Sequence, residues 1–215
     1  TTGNDNNTIS NCNLGPAGTN LPSKLITFTG SSNTATGNSG NTITGNNFFD
    51  YFNATTASEA IDLNSGTPTC TITNNKFYQT ATRTQTSGVA HRAININNSS
   101  GDNYTVTGNT IGYNSNAGTG TYTLVLPASG TFIGIFVSTG STNASNISSN
   151  TITNIAISGA LSGTSSTAAV RGIYVSAGLT NCNSNTIGSQ SATGAITFTS
   201  SSTSASDVIG IFNFG

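Results

Sequence analysis

Acidic side chains are the first candidates for chemistry in this chain, because the 215 residues include so few of them. They are Asp5, Asp50, Glu59, Asp62, Asp102 and Asp207. Only Glu59 and Asp62 lie in the same short strand-like segment, and general acid–base cleavage of a glycosidic bond needs two carboxyl groups held close together. If the chain is an enzyme, this pair is its predicted catalytic centre.

Threonine pairs of the form Thr-x-Thr are the second candidate. The threonines concerned are Thr8, Thr42, Thr44, Thr71, Thr73, Thr105 and Thr107, with Ser10 completing the first pair. Stacked strands would place these pairs about 4.8 Å apart, with roughly 6.6–7 Å between the two members of a pair. Such ranks resemble the flat faces of solenoid ice-binding proteins. Threonine is also favoured on any exposed strand, so ordinary strand surface is the alternative.

Aromatic residues give a third candidate. Phe136, Tyr174 and Phe212 occupy equivalent outward positions of three related segments, where earlier segments carry Thr27, Asp62 and Asn95. The aromatic residues occur where the preceding connections, from each Asn motif to the next strand, are long. We expect inserted segments to bury this row as a satellite core; a stacking platform for sugar rings is the alternative.

The elements that position all these residues belong to a repeat: aliphatic, two residues, Asn, one residue, apolar. Its copies begin 29 to 41 residues apart, as in solenoids with variable loops. The copies are Ile9-Cys12-Leu14, Ile43-Asn46-Phe48, Ile72-Asn75-Phe77, Val106-Asn109-Ile111, Ile147-Asn150-Ile152 and Cys182-Asn185-Ile187.

The repeated asparagine lies between two apolar residues, where a core is expected. An Asn turned inward at a corner can hydrogen-bond the backbone and the Asn of the next coil, so that no buried polar group is left unpaired. We therefore predict an internal ladder of Asn46, Asn75, Asn109, Asn150 and Asn185. The alternative is that these residues mark surface turns.

A second element recurs between the copies and reads small, aliphatic, any residue, aliphatic, as in Ala93-Ile94-Asn95-Ile96 and Gly172-Ile173-Tyr174-Val175. Its period of two marks short strands with one buried face. Later connections are long, and the segments Thr121 to Pro127 and Ala195 to Thr199 alternate like strands. We expect these two segments to be lateral strands packed on the outside of coils four to six.

Together the two elements, Gly-Ile-x-Val and x-Ile-x-x-Asn-x-Ile, resemble the right-handed parallel β-helix repeat of the pectate-lyase-like superfamily. The Thr-rich segments TITGNNF and SSNTITNI resemble repeat regions of large secreted surface proteins of Bacteroidetes. The resemblance implies one all-β domain over residues 1–215, a parallel β-helix of about six coils. It also implies stalk, adhesin or polysaccharide-cleaving roles, since this fold hosts all three.

Within that fold the acidic pair would have charged neighbours. Lys24 would lie one coil below Glu59 and Asp62, and His91, Arg92 and Asn95 one coil above. Lyases and hydrolases with this fold gather such groups on one outward sheet. A vertical stack of Lys24, Glu59 and Arg92 that serves only stability explains the same residues, and we expect a non-enzyme.

Composition limits the partners. Only 5% of residues are charged and the formal net charge is −1, so the clustered cations that nucleic acid requires are missing. No apolar run is long enough to span a membrane. We expect an extracellular or cell-surface segment of a longer solenoid, with no cofactor or metal. Its expected contacts are carbohydrate or cell surfaces, through loops such as Gly112 to Thr131 and Gly188 to Asp207.

The three cysteines, Cys12, Cys70 and Cys182, lie too far apart in the predicted coils to form a disulfide. We expect all three to be free and buried, serving as small apolar residues.

Overall fold

The computed structural model describes residues 3–31, 33–192 and 195–214. Strands dominate these residues, and the described helices are two short 3₁₀ turns, Thr34–Thr36 and Ser165–Thr167. The strands are β1 (Thr8–Ser10), β2 (Asn13–Leu14), β3 (Lys24–Phe28), β4 (Asn41–Thr44), β5 (Asn47–Phe49), β6 (Ser58–Leu63), β7 (Cys70–Thr73), β8 (Lys76–Tyr78), β9 (Arg83–Thr84), β10 (Ala90–Asn98), β11 (Thr105–Thr107), β12 (Thr110–Gly112), β13 (Tyr122–Leu126), β14 (Thr131–Thr139), β15 (Ser145–Ser148), β16 (Thr151–Thr153), β17 (Ile155–Gly159), β18 (Val170–Ala177), β19 (Thr180–Asn183), β20 (Thr186–Ile187), β21 (Ile196–Ser200) and β22 (Val208–Asn213).

The strands form four sheets. Sheet 1 has the order β1-β4-β7-β11-β15-β19, sheet 2 the order β2-β5-β8-β12-β16-β20 and sheet 3 the order β3-β6-β10-β14-β18-β22. Sheet 4 is shorter, with the order β9-β13-β17-β21. Neighbouring strands are parallel, for example β7 with β11 and β10 with β14. The chain therefore visits the sheets in turn and stacks into six layers, each with one strand from sheets 1, 2 and 3. This all-β arrangement is consistent with a parallel β-solenoid.

Aliphatic residues at alternate strand positions build the core, because alternation places them on one face of each sheet. In sheet 1, Ile72 pairs with Val106 and Val106 with Ile147, and all three are fully buried. In sheet 3, Ile94 pairs with Ile135 in the same way. Equivalent residues of successive layers thus lie directly above one another, and one cluster of buried side chains runs through the stack.

Sheet 4 corrects the expectation of lateral strands. The segments predicted at residues 121–127 and 195–199 do form strands, β13 and β21. They do not pack on the outside, because Tyr122 and Leu124 of β13 are buried within the same core cluster as sheets 1 to 3. The sheet begins with β9 in the third layer and includes β17, neither of which the sequence patterns predicted. From the third layer on, each layer therefore has four strands around the core, one from each sheet.

The corner between sheets 1 and 2 has a left-handed backbone conformation in every layer. It occurs at the residue that precedes each repeat asparagine, or Cys12 in the first layer. These residues are Asn11, Gly45, Asn74, Gly108, Ser149 and Ser184, with φ between 55° and 70°. Gly and Asn adopt this conformation most readily, which explains the glycines of the TGN motifs. The corner turns the asparagine side chain toward the interior.

Candidate functional site

The repeat asparagines form a continuous row of hydrogen bonds, here called the asparagine row (Asn46, Asn75, Asn109, Asn150 and Asn185), which is buried except at Asn185. The backbone N–H and side-chain Nδ2 of Asn75 both donate to Oδ1 of Asn109, each at 3.0 Å. Asn75 Nδ2 also donates to the Ile43 carbonyl oxygen at 2.9 Å, in the preceding layer. The same pattern joins Asn46 to Asn75, Asn109 to Asn150 and Asn150 to Asn185. The four buried members, Asn46, Asn75, Asn109 and Asn150, serve the interior and are not available to a ligand.

The threonine pairs lie in register on sheet 1, and we call this surface the Thr-x-Thr face. One rank runs through paired positions Thr8, Thr42, Thr71 and Thr105, and the other through Ser10, Thr44, Thr73 and Thr107. Asn146 and Ser148 continue the two ranks, followed by Asn181 and Asn183. Thr73 Oγ1 donates to Thr44 Oγ1 at 2.9 Å, so part of the hydroxyl array is bonded within itself. The side chains of both ranks in the first four layers are partly or fully exposed.

The charged residues expected around Glu59 and Asp62 do come together on sheet 3, with one exception. Lys24 forms ion pairs with both carboxylates, at 2.9 Å to Glu59, and Arg92 pairs with Glu59 from the other side. Asn95 Nδ2 donates to Asp62 Oδ1 at 2.8 Å. Burial alone raises the pKa of Asp62, but hydrogen bonds from Lys24, Asn95 and Asn64 outweigh it and leave that pKa lowered. Asp62 is thus held as a carboxylate.

His91 is the exception. It was expected beside Arg92 in this cluster, but its side chain is fully buried in the core. Its ring stacks on Tyr51 with centroids 5.0 Å apart and lies near Phe132 at 6.4 Å. The reason is strand alternation: Arg92 faces outward, so the residue before it faces inward. His91 cannot serve a surface site.

His91 belongs instead to a buried polar network that sequence patterns did not reveal. The Tyr122 hydroxyl lies 2.6 Å from His91 Nε2 and 2.9 Å from the Tyr51 hydroxyl. Gln79 Nε2 donates to the Tyr51 carbonyl oxygen at 2.9 Å, and Arg83 Nε donates to Gln79 Oε1 at 2.9 Å. Arg83 then pairs with Asp50 at 2.5 Å. The network joins the core to the rim of sheet 4, and no single motif could have disclosed it because its members come from separate layers.

Burial first, and the Arg83 charge second, lower the pKa of His91 to about 3. Burial raises the pKa of Tyr51 and of Tyr122 above their ordinary range. The imidazole and both phenols are therefore neutral at ordinary pH. A neutral, enclosed network of this kind stabilises the core and has no access to substrate.

All six carboxylates of the chain bond to a residue in a neighbouring layer. Asp5 accepts from Ser39, Asp50 from Thr80 and Arg83, and Asp102 from Asn143. Asp207 accepts from the Ser165 N–H at 2.9 Å, and Glu59 and Asp62 bridge to layers on both sides as described. The acids thus act as ties between layers.

The aromatic row on sheet 3 is a stack of rings rather than a satellite core. Phe136 and Tyr174 meet edge to face with centroids 5.2 Å apart, and Tyr174 and Phe212 do so at 5.3 Å. The guanidinium of Arg92 lies 4.9 Å from the Phe136 centroid, and that of Arg171 4.6 Å from the Tyr174 centroid. The three rings are only partly buried and lie outside the core cluster, so the expectation that inserts bury them was wrong.

The three cysteines are free, as expected, but not all are buried. Cys70 is buried, Cys182 is partly buried and Cys12 is exposed. Cys12 takes the place of an asparagine at the first layer, where its backbone N–H donates to Asn46 Oδ1 at 2.9 Å. Its Sγ donates to the Ser10 carbonyl oxygen at 3.2 Å, but the side chain is exposed. The prediction of three buried thiols was therefore wrong at Cys12, and Cys182 is buried only in part.

Neither a metal centre nor a membrane helix is found in the part of the chain that the structure describes. No three His, Cys, Asp or Glu side chains there come together as metal ligands. The described helices are too short to cross a bilayer. Comparison of the chain with protein-family models, curated proteins and solved structures finds no match.

Proposed function

We propose that this chain is a non-catalytic structural segment of an extracellular or cell-surface protein, a stalk- or adhesin-like solenoid. In this proposal residues 1–215 form one right-handed parallel β-helix domain of about six coils, and the asparagine row is its internal ladder. Its outer faces and loops are the surfaces offered to carbohydrate or to a cell surface. The strand order and the hydrogen bonds between layers support this architecture.

The observation that carries the proposal is the use of the carboxylates. Glycoside cleavage needs a carboxyl group free to exchange a proton and a second one to activate water or form a bond. Here Glu59 is bracketed by Lys24 and Arg92, and Asp62 by Lys24 and Asn95. Both are buried. Groups that are fully used in holding layers together are suited to a scaffold rather than to proton transfer.

The test compares the wild-type chain with Glu59→Gln on a panel of neutral and acidic polysaccharides. New reducing ends and the ultraviolet absorbance of unsaturated products are both measured. We expect neither from either protein. Turnover by the wild type that disappears in a folded Glu59→Gln variant would overturn the non-catalytic assignment.

The proposed location has its own test. Cells that produce the parent protein would be treated with protease while intact, and the segment then followed with a specific antibody. Loss of the epitope from intact cells, with a cytoplasmic marker retained, is the expected result. Protection until the cells are lysed would contradict an extracellular location.

Ice binding through the Thr-x-Thr face is a second candidate, favoured by one observation. Four consecutive layers carry hydroxyl pairs in register, on parallel strands that lie about 4.8 Å apart. Methyl and hydroxyl groups repeated at that spacing can order water against a flat surface. Asn146 and Asn181 interrupt the threonine pattern in the last two layers, which limits the face to four layers.

The measurement for this candidate is thermal hysteresis together with ice-crystal shape. Thr73→Lys and Thr107→Lys place a long charged side chain in the middle of the face. Thr151→Lys on sheet 2 is the matched control, since it makes the same change away from the face. Hysteresis lost only in the first two variants would support ice binding, and no hysteresis in the wild type at high concentration would remove it.

A further inference from the structure

Arg171 differs from the other cations of the chain. Lys24, Arg83 and Arg92 each form an ion pair with a carboxylate, and Lys76 is exposed. Arg171 is only 4% exposed, and the described part of the chain supplies no carboxylate within ion-pair distance of it. A buried charge is costly unless it is paired, so this residue needs a physical explanation.

The contacts of Arg171 leave part of its guanidinium unused. Nη1 donates to the Ser166 carbonyl oxygen, and the group lies over the Tyr174 ring. Nε is buried and has no acceptor among the described residues. The pKa of Arg171 is lowered, mainly by desolvation. Its interaction with Tyr174 raises that pKa, and the nearby charge of Arg92 lowers it. The protein therefore holds a cation that a bound anion would stabilise.

A groove of about 370 Å³ opens beside this guanidinium. Its other polar side chains are hydroxyls, which can donate to the oxygens of an anion or bond to a sugar. They are those of Ser129, Thr131, Ser162, Ser166 and Thr167. No acidic residue lines the groove, so nothing in its wall repels negative charge. A volume of this size lies within the range of small-molecule sites and holds far more than one inorganic ion.

We propose that this groove binds a sulfated sugar, with the sulfate ester on Arg171 and the sugar ring among the hydroxyls. A sulfate ester carries a single negative charge on three terminal oxygens, which matches one guanidinium surrounded by several donors. A phosphate ester carries about −1.5 to −2 at neutral pH and would exceed the one cation present. A carboxylate offers only two oxygens to the same set of donors. The site is independent of the proposed structural role and goes beyond it.

The experiment is isothermal titration calorimetry of the whole chain with glucose 6-sulfate. Glucose 6-phosphate, glucuronate, glucose and sodium sulfate are the comparison ligands. Arg171→Gln removes the charge, and Ser162→Tyr fills the groove without altering Arg171. Lys76→Gln is the matched control, because it removes one positive charge from a distant surface. Circular dichroism establishes that each variant is folded.

We expect glucose 6-sulfate to bind more tightly than all four comparison ligands. Arg171→Gln should weaken its binding by about tenfold or more, because it removes a charge-assisted hydrogen bond. Ser162→Tyr should weaken it by about as much, because the new ring occupies the groove. Lys76→Gln should leave binding unchanged. If Arg171→Gln fails to fold, the Ser162→Tyr variant decides the question.

Other outcomes would overturn the proposal. Glucose binding as tightly as its sulfate would remove the role of the anion. Sodium sulfate binding as tightly as the sugar sulfate would reduce the groove to a simple anion site. Tighter binding of the phosphate or of glucuronate would mean that the chemical class is wrong. Equal losses in Lys76→Gln and Arg171→Gln would show attraction by net charge, and no binding of glucose 6-sulfate at millimolar concentration would remove the site.

Discussion

Asn109 donates both its backbone N–H and its side-chain Nδ2 to a single atom, Oδ1 of Asn150, at 3.0 and 2.9 Å. Its Oδ1 in turn accepts from Asn75, and its Nδ2 also donates to the Ile72 carbonyl oxygen at 2.9 Å. One buried side chain thereby connects three layers. Because a neutral amide has both donors and an acceptor, it satisfies the layer on either side without introducing charge.

Replacing Asn109 with alanine should destabilise the fold strongly. The change leaves the Asn75 N–H and the Ile72 carbonyl oxygen without a partner in the interior. Each such group costs about 1–3 kcal/mol, so we expect the free energy of unfolding to fall by about 2–6 kcal/mol. Urea denaturation followed by circular dichroism measures the change.

Asn47→Ala is the control for that experiment, because Asn47 is partly exposed on sheet 2 and bonds to the exposed Asn13. A surface substitution of this kind should change the free energy of unfolding by no more than about 0.5 kcal/mol. Equal effects of the two substitutions would show that the asparagine row contributes no special stability.

Gly108→Ala should destabilise the corner that precedes Asn109. The backbone there has φ of +70°, and an added Cβ would lie 2.4 Å from Asn74 Oδ1 in the layer before. The left-handed conformation alone costs an alanine about 1–2 kcal/mol, and displacement of Asn74 adds to this. Thermal or urea unfolding gives the total.

Gly118→Ala separates the two causes. Gly118 has almost the same φ, +72°, but an added Cβ would meet no atom within 4 Å. It should show the conformational cost without the clash and be the milder of the two substitutions. A larger loss at Gly118 than at Gly108 would contradict this account of the corner.

His91 should make stability depend on pH in the acidic range. Its pKa is about 3 in the folded protein, through burial and then the Arg83 charge, against an ordinary value of 6.5. Between these two values the unfolded chain binds a proton that the folded chain does not. The contribution of neutral His91 to the free energy of unfolding is therefore fully present above about pH 6.5. It falls as pH is lowered, by at most about 1.4 kcal/mol per pH unit.

His91→Phe is the variant that tests this linkage, since the new ring fills the space between Tyr51 and Phe132 without titrating. Urea midpoints measured from pH 7.5 to 4.5 should slope for the wild type and be nearly level for the variant. Asp62 does not interfere, because its lowered pKa places its own effect at more acidic pH. Identical slopes in both proteins would show that His91 is not the titrating group.

The cysteines should react with a thiol reagent at very different rates. Cys12 is exposed, whereas Cys70 is buried and burial raises the pKa of its thiol to about 12. Because the thiolate is the reactive form, we expect one fast phase from Cys12 in the native protein and reaction of Cys70 only on unfolding. Cys12→Ser should abolish the fast phase. Cys182 is partly buried, and burial raises the pKa of its thiol, so it should react more slowly than Cys12. A fast phase that persists in the Cys12→Ser variant would contradict this order of reactivity.

Sequence patterns predicted the structure best where it depends on interactions between neighbouring residues. The Thr-x-Thr pairs, the aliphatic rows and the repeat asparagines were all placed by spacing, because alternation in a strand and the Gly-Asn corner depend only on neighbouring residues. The pairing of Thr73 with Thr107, and of Glu59 with both Lys24 and Arg92, follows from that register.

The same patterns failed where a residue depends on what the next layer brings. The strand near Tyr122 could have packed on the outside of the coils or formed a fourth side of the core. Both arrangements bury one face of the strand, so both are compatible with the same alternating sequence. His91 is a different case: the prediction placed it in a surface cluster beside Arg92, although strand alternation, a local rule, turns it inward toward Tyr51.

The sequence by itself therefore determined the repeated strands of sheets 1 to 3, the corners marked by the repeat asparagines and the stacking register, since short-range geometry decides them. The tertiary structure alone decided that sheet 4 closes the core, that all six carboxylates tie layers together, and that Arg171 lies buried beside a hydroxyl-lined groove with no carboxylate partner among the described residues. Each of those features brings together residues from different layers. Such residues are far apart in the sequence, because the chain passes through every sheet between one layer and the next. Their burial and pairing therefore depend on how the layers pack.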